Sequence, residues 1–260
     1  MNKVDKDIIK GMAVVAGAAI LAGCSTGSED DTPGIYSADA KWGMLVDLDK
    51  CIGCAACVMA CKIENGTQHG VYWCNLHYKE EVGTSAYSTK VQMRRKFRPF
   101  ACHHCRNAEC IMVCPTGASR YADDGTVSVD MDVCYGCHKC VDACPYGARM
   151  FNYADPLKNP AYSVVEPYRT PAELLTPFEL RKAPKHKFHT AEKCVFCKDR
   201  REKGEQPACV ETCPTKARVF GRLDDAGSDL NVAIRDLNAV PDLPDNGLKT
   251  GPSYFIAGKY

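Results

Sequence analysis

The chain has 260 residues, and its 33 lysine and arginine side chains nearly balance 32 aspartates and glutamates. That balance removes the electrostatic basis for binding nucleic acid, while an ordinary hydrophobic content allows a packed core. The outlier is cysteine, at 18 residues, which points to disulfides, zinc or iron–sulfur clusters and leaves spacing to choose among them.

Lys3, Lys6 and Lys10 give a positive start, diluted by Asp5 and Asp7, and an apolar run follows from Gly11 to Ala22. The run is about half the roughly 20 residues that a transmembrane helix needs, and it fits the core of a signal peptide. It ends Leu21-Ala22-Gly23-Cys24-Ser25, which resembles the lipobox of bacterial lipoproteins. Residues 1–23 are therefore expected to be a lipoprotein-type signal peptide, with Cys24 lipidated at the mature N-terminus. An ordinary cleaved signal with a chance cysteine is the plainer alternative. The lipobox reading predicts an extracytoplasmic, lipid-anchored protein. Residues 24–43, rich in Ser, Gly, Asp and Pro, read as a flexible tether.

Met44 to Asp49 alternates apolar and acidic residues and predicts a short strand with one buried face. The first cysteine group follows, Cys51, Cys54, Cys57 and Cys61, and Val58 to Asn65 predicts a short helix ended near Gly66. Before the next group stands Cys74, in Val71-Tyr72-Trp73-Cys74, expected as a buried free thiol. The second group is Cys102, Cys105, Cys110 and Cys114. A second alternating segment, Val127 to Asp132, leads into Cys134, Cys137, Cys140 and Cys144, which repeats the first group in register down to its central glycine, Gly136 for Gly53. The fourth group, Cys194, Cys197, Cys209 and Cys213, is stretched. Three groups end in Cys-Pro, at Pro115, Pro145 and Pro214, and the first has Lys62 there. The four groups define a domain over residues 44–225, with 226–260 as a C-terminal extension. Its tail from Pro241 reads as a loose terminus or as a segment wrapped on a partner.

A C-x-x-C-x-x-C-x-x-x-C-P run is the bacterial ferredoxin signature, whose fourth cysteine ligates the other cluster of a pair. Three thiolates on one tight loop reach one face of a cube, and the fourth, a helical turn on, points elsewhere. Gly53 and Gly136 let the backbone bend close to the inorganic core, where its N–H groups donate to sulfur. Disulfides would suit an exported, cysteine-rich chain, but neighbours on one tight loop are poorly placed to pair. Zinc ribbons use two C-x-x-C pairs per ion, and only the fourth group taken alone would suit that. Sixteen cysteines thus divide into four [4Fe–4S] clusters, leaving Cys24 and Cys74.

Four such groups, the second extended and the fourth much extended, resemble the iron–sulfur subunit of the dimethyl sulfoxide and polysulfide reductase family of molybdopterin oxidoreductases. The resemblance covers roughly residues 43 to 225. It implies an α+β fold of two bacterial-ferredoxin-like modules with inserted loops and an extended C-terminal tail. Groups one and four would form one module and groups two and three the other. It further implies that Cys51, Cys54, Cys57 and Cys213 hold one cluster and Cys61, Cys194, Cys197 and Cys209 the next. Cys102, Cys105, Cys110 and Cys144 would hold the third, and Cys114, Cys134, Cys137 and Cys140 the fourth. Some relatives lack a third-group cysteine and hold a three-iron cluster; with Cys137 in place, four four-iron clusters are expected. By the same resemblance, the first cluster faces a molybdopterin catalytic subunit. The last faces a membrane quinone-linked subunit or a c-type cytochrome. Two departures stand out. The first group lacks its proline, a minor change, and no twin arginine precedes the apolar run.

His103, His104 and Arg106 lie within the second group and His138 and Lys139 within the third. They either add positive charge that raises a potential, 59 mV being tenfold for one electron, or are solvent-facing loop residues. The basic run Arg181 to His189 reads as a solvated face or as a dock for an acidic partner. The sequence holds no phosphate-cradling glycine loop and no nucleophile elbow, so no catalytic site of its own is expected. Besides a relay subunit, a free-standing polyferredoxin fits the same cysteines; a self-sufficient redox enzyme would need a substrate pocket and open coordination.

Overall fold

The central strand β1, Trp42–Asp47, is buried along nearly its whole length, not on one face as the alternation predicts. The computed structural model gives the reason and describes residues 40–67, 70–84, 91–153 and 186–260, without the side chains of 82–94. The signal segment, Cys24, most of the tether and Arg181–Lys185 lie outside the described residues.

One side of β1 pairs antiparallel with β8, Arg218–Arg222, and the other pairs parallel with β10, Tyr254–Ala257. Met44 and Val46 turn into the main hydrophobic cluster, with Trp73, Phe100, Phe196, Phe220 and Tyr254. Leu45 points to the opposite face, as the two-residue period of a strand requires, and a helix of residues Asp229–Asp236 covers that face with its fully buried Leu230. Gly43 and Gly221 are register partners. A Cβ on Gly43 would meet Leu230 at 2.9 Å and one on Gly221 at 3.0 Å, so the two glycines let the helix pack close. The short strand Val240–Pro241 completes the sheet beyond β10.

The C-terminal tail is therefore neither loose nor free to wrap a partner along its length. Tyr254 is fully buried, and its hydroxyl donates to Pro99 O at 3.1 Å. Upstream of it the chain lies along the second cysteine loop, with Arg106 N donating to Gly251 O and Ser253 N to His103 O. Tyr254-Phe255-Ile256 are good strand formers, but the partner that buries them, β1, comes from the far end of the chain.

The first cysteine group leads into α1, Ala56–Asn65, which stops at Gly66 in the left-handed region (φ 61°). The other groups carry single turns: α2, Glu109–Met112; α3, Lys139–Asp142; α4, Lys198–Arg201; and α5, Ala208–Glu211. α2, α3 and α5 end just before Cys-Pro, since proline restricts the residue before it and cannot continue a helix. Lys62 replacing proline is thus more than a minor change: it lets α1 run on, and its buried Nζ donates to Thr67 O at 2.6 Å.

Short ladders join the groups. β2, Cys74–Thr84, pairs antiparallel with β3, Val91–Ala101. β4, Ser119–Tyr121, pairs with β5, Val127–Val129, shorter than the alternation suggests. β6, Met150–Phe151, pairs with β7, Ala191–Glu192. The strand leading into group one pairs with the strand leaving group four, and the strand leaving group two pairs with the one entering group three.

Candidate metal centres

The two tight loops bend alike. Gly53 and Gly136 sit at φ 69° and 79°, and Ala55 and His138, at matching positions, at φ 59° and 64°. Left-handed backbone at a residue other than glycine is strained and concentrates at functional sites. A Cβ on Gly53 would lie 2.4 Å from the Phe97 ring, and one on Gly136 2.3 Å from His189 Nδ1. The glycines are thus required by side chains packed over the loops as well as by loop curvature.

These loops gather cysteines from different groups. Cys114 lines one recess with Cys134, Cys137 and Cys140, a space of about 340 Å³ counting its opening to solvent. Cys144 lines a second, of about 360 Å³, with Cys102, Cys105 and Cys110. The Cys61 thiol is pushed well up by burial and then by Cys194, Cys209 and Cys197 beside it. Cys51 is raised by burial, with Cys57 and Cys213 among its charged neighbours. Cys114 and Cys144 thus each share a recess with another group's first three cysteines, Cys61 lies near those of the fourth group, and Cys213 lies near Cys51. Cys54 is exposed on the first loop.

Every described cysteine is a free thiol. Among the described residues no His, Cys, Asp or Glu side chains converge on one point tightly enough for a single metal ion. Quartets that share a recess without converging on a point fit a group larger than one zinc ion. Backbone amides donate to the sulfurs: Ser119 N to Cys114 Sγ at 3.4 Å, Ala148 N to Cys144 Sγ at 3.4 Å and Ala217 N to Cys213 Sγ at 3.3 Å. Burial pushes Cys209 up to about 11 and raises Cys194 further. Such thiols ionise when a metal takes the charge. Cys114 and Cys213 shift downward instead, and so does Cys57. The Cys74 thiol bonded to it, helped by the Arg218 guanidinium, draws it down to about 6 against its own burial.

Cys74 itself is a buried free thiol, 1% exposed. His103 and His104 are buried, not solvent-facing. His103 bonds Asp242 through Nε2 at 2.9 Å and stacks on Tyr146 and Tyr254. Burial holds His104 well below the usual histidine range, and its Nδ1 accepts from Val127 N at 3.0 Å. His104 is therefore a neutral packing group, not a source of charge. Within the basic run His186 is buried against Glu192, while Lys187, Phe188 and His189 are exposed, so the solvated face holds only for those three of the described positions.

Three residues escape the spacing argument. Arg149 and Arg218 are each 3% exposed and Lys193 2%. Arg149 donates to Cys110 Sγ at 3.0 Å and to Ser119 Oγ at 3.0 Å. Arg218 donates to Cys74 Sγ at 3.2 Å and, more loosely, to Cys209 Sγ at 3.8 Å. Burial lowers the Lys193 pKa, and its Nζ donates to Cys194 O at 2.7 Å. The signal for the arginines is a second repeat, Cys144-Pro-Tyr-Gly-Ala-Arg149 beside Cys213-Pro-Thr-Lys-Ala-Arg218.

A family model described as a 4Fe-4S dicluster domain matches residues 93–158 and 169–223, and one described as a 4Fe-4S binding domain matches residues 42–63. The chain is 37% identical to the arsenate respiratory reductase iron–sulfur subunit of Shewanella sp. (strain ANA-3), over 83% of this chain and 95% of that protein. It is 38% identical to a component of the polysulfide reductase of Wolinella succinogenes, over 83% and 93% respectively. To a putative dimethyl sulfoxide reductase iron–sulfur subunit of Halobacterium salinarum it is 35% identical, over 84% and 80%.

Proposed function

Since this chain belongs to the iron–sulfur subunits of the dimethyl sulfoxide reductase family of molybdopterin oxidoreductases, we propose that it relays electrons through four [4Fe–4S] clusters. The relay would join a molybdopterin catalytic subunit to a membrane quinone-linked subunit or a c-type cytochrome. Cys51, Cys54, Cys57 and Cys213 would hold the first cluster, and Cys61, Cys194, Cys197 and Cys209 the second. Cys102, Cys105, Cys110 and Cys144 would hold the third, and Cys114, Cys134, Cys137 and Cys140 the fourth. The bound clusters supply reversible one-electron chemistry at potentials that charge, hydrogen bonds and exposure set.

The observation that carries this reading is one wholly buried quartet together with open apolar side chains at the proposed ends. Cys61, Cys194, Cys197 and Cys209 are all buried. At the proposed ends, large apolar side chains stand open beside the loops. Ile52 is 61% exposed and Met59 49% at the first group; Tyr135 is 56% and Val133 45% at the third. Exposed apolar residues at both proposed ends, with one sealed quartet between them, suit a conduit that docks a partner at each end. The described residues contain no helix long and apolar enough to cross a membrane. We further propose that lipidated Cys24 holds the chain to a membrane face outside the cytoplasm, with two or more acyl chains giving stable anchoring where one is marginal.

Anaerobic purification tests the relay. The expected result is a brown protein with about sixteen irons, four per cubane, co-purifying with a large molybdenum subunit. Stoichiometric zinc in place of iron would overturn the clusters, and a loaded chain that always purifies alone would favour a free-standing polyferredoxin. Cys24→Ser is expected to release the complex to the soluble fraction with full iron content. A mature N-terminus without lipid would overturn the anchor.

A further inference from the structure

Arg218 and Arg149 occupy the same place in the two halves of the molecule. Each stands five residues past the last cysteine of its group, at the end of a Cys-Pro-x-x-Ala-Arg run. Each is buried, yet among the described residues neither has a carboxylate partner. The nearest groups able to carry negative charge are cysteine sulfurs. Against the opposing effect of burial, Arg218 is drawn upward by Cys74, Tyr254, Cys209 and Cys57, and Arg149 by Cys110, Cys140 and Cys102. Cys57 and Cys209 are the third cysteines of groups one and four; Cys110 and Cys140 are the third cysteines of groups two and three. So each guanidinium reaches the third cysteine of one group, Cys110 or Cys209, and has the third cysteine of the companion group, Cys140 or Cys57, among its electrostatic neighbours. Each also has a buried Nε without a hydrogen-bond partner.

A buried cation is costly unless it meets opposite charge. An arginine keeps its charge in any protein environment, unlike a lysine. With no carboxylate partner among the described residues, these two charges are answered only by what the cysteines hold.

We propose that Arg218 and Arg149 are internal counter-charges, each shared by two neighbouring clusters and each raising the reduction potential of both. The assignment rests on the four-cluster reading above. Reduction adds a negative charge to a sulfur-rich anion, and a fixed guanidinium beside it favours that form. Because one arginine stands near two quartets, it favours an electron on either. The other two groups lack the device. Group two has Ser119 where the arginine would stand, and its hydroxyl accepts from Arg149. Group one runs on as helix past Lys62, with Gly66 at the matching position.

The test is a redox titration of the whole complex followed by paramagnetic resonance, with iron content measured on every sample. Arg218→Gln and Arg149→Gln remove charge and keep hydrogen-bonding capacity; Arg218→Lys and Arg149→Lys keep charge. Arg218→Gln is expected to shift the reduced-to-oxidised ratio of the first and second clusters at least tenfold toward oxidised at fixed potential, about 59 mV for one electron. The third and fourth clusters should stay unmoved. Arg149→Gln should do the reverse, and the lysine variants should hold most of the native potentials. Unchanged potentials in a fully loaded glutamine variant, or an equal shift at all four clusters, would overturn the proposal. Should the glutamine variants lose iron while the lysine variants keep it, the charge requirement stands. Loss of iron in the lysine variants as well would show a packing role and refute it. A wild-type chain without iron would instead refute the four-cluster reading.

Discussion

The half built on groups one and four and the half built on groups two and three solve one problem with different amounts of structure. In the first, the strands beside the cysteine loops belong to the sheet that also holds the C-terminal tail, and Arg218 is surrounded by Cys74, Cys209 and the hydroxyl of Tyr254. In the second, β3 enters group two from its long pairing with β2, the strands after group two and around group three form ladders of two or three residues, and Arg149 has Cys110 and Ser119. What is common to both is a cysteine loop in left-handed backbone, a fourth cysteine crossing to another loop, and one buried arginine. What differs is the scaffold. A short loop held by inserted metal needs little supporting sheet, because ligation itself supplies folding free energy.

The largest effect expected comes from the crossing cysteines. Cys213→Ser should remove the cluster of Cys51, Cys54 and Cys57 and leave that of Cys194, Cys197 and Cys209. Cys144→Ser should do the same to Cys102, Cys105 and Cys110. Paramagnetic resonance reads both. Loss of the cluster in the mutated group itself would break the symmetry between the halves.

Next comes the scaffold. Tyr254→Ala should destabilise the fold by about 3–5 kcal/mol, the range for emptying a large aromatic site, since Tyr254 is fully buried and bonded. Iron should be lost first from the clusters of groups one and four on mild denaturation. Equal release from both halves would show that the tail's strand supports the whole core.

Backbone strain ranks third. Gly53→Ala and Gly136→Ala each place a Cβ on a left-handed residue, at about 1–3 kcal/mol for the conformation alone, and each strikes a packed ring. Similar losses of denaturant midpoint are expected; a tolerated Gly136→Ala would mean that His189 moves aside where Phe97 does not.

The smallest effect is electronic. Cys74→Ala removes a thiol bonded to Cys57 and to Arg218. The first cluster should fall in potential by less than the tenfold step of the arginine variants, with iron content unchanged. Ser119→Ala is the counterpart in the other half. A larger shift from Cys74→Ala than from Arg218→Gln would make the thiol, not the cation, the main electronic difference between the halves.

The cysteine groups, the matching glycines and the Cys-Pro stops were legible in the sequence because ligand chemistry and proline geometry act locally. Four repeats of a cluster spacing leave few other chemistries, and the helix over Ala56–Asn65 ends at Gly66 as its residues demand. The burial of both faces of β1, the strand at Tyr254–Ala257 and the sequestered histidines were decided by tertiary structure. Each depends on residues that meet only in the folded chain: Leu230 over Gly43, Tyr254 beside Met44, Asp242 against His103. The two arginines lie between these cases. Their repeat is visible in the sequence, but a cation's meaning depends on what surrounds it, and only the fold removes water and carboxylates and leaves sulfur.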